Sequence, residues 1–378
     1  MYRASPVAPV EEGANASPPP SEAAAAPVDV ASHHAASAAV QLRNWPPRSD
    51  VLLVGFWAVM ASVLGRGLAP ALPGSSAGIG QLIVGVEDLG AFSSQFMVMM
   101  GTAVCVRLLL TTLECRSYLF RPVAIVTCAA ALPVVVSASS RHLSPEWLIS
   151  LVGLSATLAL ASAMPALRAP HSRVAGLVLL TVTMGSLVSA AGRTIALYAS
   201  QQVEATLFTV ARGIATLGLL LDALSVAWVA LWLARRLRLR GAWLIAGAVA
   251  VALAVAWTGQ QGDPEDVATW GLVAGRALAA LTAHPDPFIG PGIRYFIEVL
   301  ALILGAITLW FQRPAGVGAT LSFALLARVS GDVPLCALML MLAALSAVRA
   351  SLQSVEPDAS TREPPGRRAP LEVIPATR

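Results

Sequence analysis

The chain contains no lysine: all 25 of its basic residues are arginine. That absence excludes Schiff-base chemistry on a lysine and the lysine of a phosphate-binding P-loop. Charge of either sign is scarce, at 12% of 378 residues, where a soluble globular domain carries about a quarter. The five histidines are His33, His34, His142, His171 and His284. All fall outside the long apolar stretches, so helix-borne bis-histidine haem ligation is excluded. Cysteine is limited to Cys105, Cys115, Cys128 and Cys336, with no CxxC pair. In or beside apolar segments they read as small hydrophobes, not as a metal site or disulfide framework. No HExxH, P-loop or GxGxxG motif occurs. No metal and no cofactor is therefore expected. The net charge of +4 argues for membrane orientation rather than nucleic-acid binding.

What is abundant is apolar. Hydrophobic residues make up 56% of the chain, and the mean hydropathy is +0.71. Apolar stretches occupy about 51–65, 91–113, 122–138, 145–166, 174–199, 205–234, 241–258, 293–311, 314–328 and 332–350. A transmembrane helix needs roughly 20 predominantly apolar residues. The expectation is an all-α, polytopic integral membrane helix bundle of about ten transmembrane helices, within a domain at 51–350. The first and ninth stretches, at roughly 15 residues, fall below the usual span and suggest extension or a re-entrant segment. Residues 1–46, rich in Ala, Pro and Ser, and the polar segment 351–378 are expected to be disordered cytoplasmic tails. The N-terminal segment lacks the apolar h-region of a signal peptide.

Arginine placement sets the expected orientation. Arg43, Arg48, Arg116, Arg121, Arg168, Arg173, Arg235, Arg236, Arg238, Arg240, Arg313 and Arg349 fall at alternate, inner junctions. Arg66, Arg141, Arg276, Arg294 and Arg328 fall at outer ones. The positive-inside rule then puts both termini in the cytoplasm, in a multi-pass plasma membrane protein, the inner membrane for a bacterium. Two outer loops are long, at about 66–90 and 259–292. The second contains an apolar stretch, Val267 to Ala283, that reads as an interfacial helix rather than an eleventh span.

Ionisable groups inside spans are expensive and normally face a partner or water. Here they are Arg107, Arg193, Arg212, Asp222 and Glu298. From the helical rise, Asp222 lies about 3 Å and Arg107 about 7 Å to the cytoplasmic side of their span midpoints. They are the best-matched ion pair by depth. Glu298 lies about 6 Å, and Arg193 and Arg212 about 10–12 Å, to the outer side, which suggests an outer cluster. Such groups either fix helix packing or form a substrate or ion site, with Asp222 the leading proton- or cation-binding carboxylate.

The remaining signals are weaker. Gly74-Ser75-Ser76-Ala77-Gly78 matches G-x-S-x-G but lacks the strand-turn-helix context of a nucleophile elbow. Glu87 and Asp88 in the first outer loop, with outer arginines for a lipid phosphate, form a layout similar to that of multi-span glycosyltransferases using lipid-linked sugars. Three functions follow. The first is a secondary transporter or permease, supported by Asp222, Arg107 and two halves of five spans each, the arithmetic of an inverted repeat. The second is an outer-face enzyme on an anionic lipid-linked substrate. The third is a non-catalytic membrane subunit or scaffold. The expected partners are the lipid bilayer and a small-molecule or lipid-linked substrate.

Overall fold

Each of the ten apolar stretches folds as a helix. The computed structural model describes residues 48–62, 77–138, 145–202, 205–260, 291–311, 316–329 and 333–353. Among these there is no strand. The helices are α1 (Arg48–Ser62), α2 (Ala77–Thr112), α3 (Phe120–Ala138), α4 (Pro145–Arg168) and α5 (Arg173–Gln202). They continue with α6 (Ala205–Leu237), α7 (Leu239–Gln260), α8 (Pro291–Trp310), α9 (Val317–Val329) and α10 (Val333–Gln353). The expected tails, apart from the last turn of α10, lie outside the described residues, as do most of the loop 259–292 and the stretch 267–283.

One boundary moves substantially. Helix α2 begins at Ala77, so the second half of the expected outer loop is helical and carries Glu87 and Asp88 on its backbone. The run Ala77–Asp88 holds no proline and includes Leu82, Ile83 and Val84, which continue the apolar character of the span.

The outer faces of these helices are as apolar as their inner ones. Met99, Leu110, Leu217, Leu220 and Leu253 are all at least half exposed. A helix that is hydrophobic all round does not belong at a water-facing surface. Among the described residues, six helices are long and apolar enough to cross a membrane; α1, α7, α8 and α9 have shorter apolar stretches. Helix α9, at 13 residues, is about 20 Å long against a hydrocarbon thickness of about 30 Å.

Helix α10 is the core. Every residue from Ala337 to Ser351 is buried, because α10 packs against α2, α3, α4, α5 and α9. Helix α9 is buried at every residue except Arg328. The two run antiparallel, and their close crossing requires Gly316. Its φ of 125° suits only glycine, and an added Cβ would sit 3.0 Å from that of Ala350. The two halves do not pack equivalently. α10 contacts four first-half helices, while its counterpart α5 touches α4, α6, α9 and α10.

Helices α5 and α6 pack extensively on each other, and small residues let their backbones approach. A Cβ on Gly192 would meet the Ala215 nitrogen at 3.2 Å, and one on Gly218 would meet the Ser189 nitrogen at 3.2 Å. Backbones that approach this closely are the mark of small-residue seams between membrane helices. This seam carries the site.

Candidate functional site

Asp222 is residue 18 of the 33 in α6, so it lies at the middle of that helix. It is 3% exposed. Gly185 on α5 makes room for it, since a Cβ there would fall 2.7 Å from Asp222 Oδ1. The ninth helix supplies the counter-charge. Arg328 Nε donates to Asp222 Oδ2 at 2.6 Å, and its Nη2 lies 2.6 Å from the same oxygen. Nη2 also donates to Ser189 Oγ on α5 at 3.2 Å. One guanidinium therefore ties the middles of α5 and α6 to the end of α9. Burial makes this contact strong electrostatically while desolvating both charges.

A second carboxylate shares the locality. Glu298, on α8, is 8% exposed. With Asp222, Ser225 and Arg328 it lines a cavity of about 10 Å³, walled by Leu219, Ile297 and Leu325. That volume is about one water's worth. Carboxylates from α6 and α8, a hydroxyl from α5 and a guanidinium from α9 thus converge from four helices.

This geometry corrects the pairing expected from depth. Arg107 pairs with Asp50, in the first turn of α1. Helix α2 packs on α1, α3 and α10, whereas α6 packs on α5, α7, α8 and α9, so the two side chains have different neighbours. Equal depth was a condition for contact, but adjacency of helices decides it. Of the expected outer cluster, two members are described. Arg212 is exposed, while Glu298 is buried on the Arg328 cavity. Arg193 is one position past Gly192 on α5, and its side chain lies outside the described set, as do those of Glu87 and Asp88.

Arg328, expected at an outer junction, and Arg349, expected at an inner one, are both largely enclosed by the bundle, Arg328 with 17% of its side chain exposed and Arg349 at 6%. The signal that could have found Arg328 was the shortness of its span. A helix of about 20 Å cannot place both ends at the interfaces, so a terminal arginine has to find a partner inside. Ser189 and Asp50 were also missed; each is a single polar residue with no pattern around it.

Comparison with family models, with curated proteins and with solved structures gives no match. The fold therefore defines the class by itself: a helical bundle with several helices long and apolar enough to cross a membrane, as in an integral membrane protein.

Proposed function

We propose that the chain is a secondary transporter, crossing the plasma membrane with both termini in the cytoplasm, and that Asp222 is its proton- or cation-binding carboxylate. The observation that carries this reading is the Asp222–Arg328 pair in the middle of the α5–α6 seam, with Glu298 on the same cavity. Charges inside a membrane bundle are costly and typically mark ion or substrate pathways. Arg328 acts as a built-in counter-cation. It satisfies Asp222 when no substrate is bound, and a proton or small cation reaching Asp222 competes with it. Helix α9 ends inside the bundle, a form of broken span that transporters use to set a site between helices. The small cavity corresponds to a closed state.

The size of that cavity favours a second reading. At about 10 Å³ it holds no substrate larger than water, as suits a non-catalytic membrane subunit in which the pair clamps three helices.

Proteoliposomes loaded with a pH-sensitive dye and challenged with a panel of small cations and amino acids separate the two. A proton flux evoked by one panel member and lost in Asp222→Asn, with the variant still folded, supports transport. Vesicles that stay proton-tight across the panel, together with a partner protein that co-purifies stoichiometrically, support the subunit.

A further inference from the structure

The turn between α2 and α3, residues 113–119, carries a basic recess remote in sequence from the buried pair. Arg116, Ser117, Tyr118, Arg121 and Pro122 line a surface cavity of about 390 Å³. Arg121 is held from behind, its Nε donating to the Cys115 carbonyl at 2.7 Å. That anchor orients the guanidinium and leaves its terminal nitrogens as donors. Arg116 is exposed, and Glu114, also exposed on this turn, offsets only one of the two positive charges. Two apolar side chains stand beside them: Tyr118 is 96% exposed and Leu119 72%. The turn joins two helices long and apolar enough to span, which places it at a membrane edge.

We propose that this turn seats the headgroup of an anionic phospholipid. Arg116 and Arg121 hold the phosphate, since guanidinium groups match its oxygens in paired hydrogen bonds. Tyr118 and Leu119 enter the boundary between headgroups and acyl chains, where an aromatic with a polar tip and a leucine are favourably solvated. A free phosphate could use the arginines but would leave Tyr118 and Leu119 in water. The exposed apolar pair therefore selects the lipid. The Ser117 hydroxyl accepts from the Phe120 N–H at 3.4 Å, which ties the recess to the start of α3.

The test is native mass spectrometry of the full-length protein titrated with phosphatidylglycerol, phosphatidylcholine or inorganic phosphate. The wild type is expected to retain one more phosphatidylglycerol than Arg116→Gln with Arg121→Gln, with no difference in phosphatidylcholine. Tyr118→Ser with Leu119→Ser, which leaves both arginines, is expected to weaken phosphatidylglycerol retention several-fold. Equal retention by the wild type and the arginine variant overturns the seat. Displacement of the lipid by millimolar phosphate, with indifference to Tyr118 and Leu119, overturns the lipid and assigns the recess to a free anion. Should the double arginine variant fail to fold, Arg116→Gln alone carries the comparison, because that side chain is exposed and its loss disturbs no packing.

Discussion

Arg328 reaches across 106 positions of sequence to donate to Asp222 Oδ2 at 2.6 Å, and in doing so joins the end of α9 to the middle of α6. Breaking one side of such a pair strands the other charge in a medium that solvates it poorly. Arg328→Ala is therefore expected to cost about 3–5 kcal/mol, the range for uncompensated buried charges. Asp222→Asn combined with Arg328→Gln removes both charges and should recover most of that loss. Thermal unfolding in detergent checks the series. A double variant no more stable than Arg328→Ala alone would show that the two charges are not energetically coupled.

The α5–α6 seam depends on Gly185. A methyl group there would fall 2.7 Å from Asp222 Oδ1 and 3.3 Å from the Leu221 Cβ. The carboxylate is held by Arg328 and cannot simply retreat. Gly185→Ala should destabilise the protein by about 1–3 kcal/mol, as overpacking does. Gly213, on the same α6 helix, has nothing within 4 Å of its added Cβ. There Gly213→Ala should be neutral or stabilising by up to about 1 kcal/mol through helix propensity. Melting temperatures of the two variants moving in the same direction by the same amount would contradict this account.

Arg107 and Asp50 form a pair of another kind. Their side chains are 36% and 21% exposed, and Asp50 stands in the first turn of α1, so this pair is less enclosed than Asp222 with Arg328. Arg107→Gln should therefore cost less than Arg328→Ala. It should loosen α1 against α2 and leave any flux that depends on Asp222 intact. Hydrogen exchange on α1, measured beside the flux, reads both effects. Loss of flux in this variant would return Arg107 to the functional site.

The sequence carried most of the local information, and the reasons lie in particular segments. Stretches such as 174–199 and 205–234 are apolar over far more than four turns, and a backbone in that setting satisfies its own polar groups only as a helix. The limits of α3 and α4 fall within two residues of their apolar stretches for the same reason. The first turns of α2 were not legible because the Gly/Ser-rich run up to Gly78, followed by Glu87-Asp88, reads as a loop. Asp222 was legible as an isolated carboxylate in an apolar run, and Glu298 likewise.

Partners were not legible. Asp222 could be assigned a depth from helical rise alone, and Arg107 matched it, yet the two belong to helices with different neighbours. The sequence by itself determined which segments are helices, which of them suit a membrane, and which charges are too costly to leave alone there. Only the tertiary structure decided that α10 forms the core, that short α9 ends at the middle of α6, and that Arg328 rather than Arg107 meets Asp222. The physical reason is one of range. Helix formation and burial cost are set residue by residue along the chain, whereas an ion pair requires two helices to be adjacent. That adjacency is fixed by the fit of Gly185, Ser189 and Gly218 across one seam, and of Gly316 against Ala350 at another.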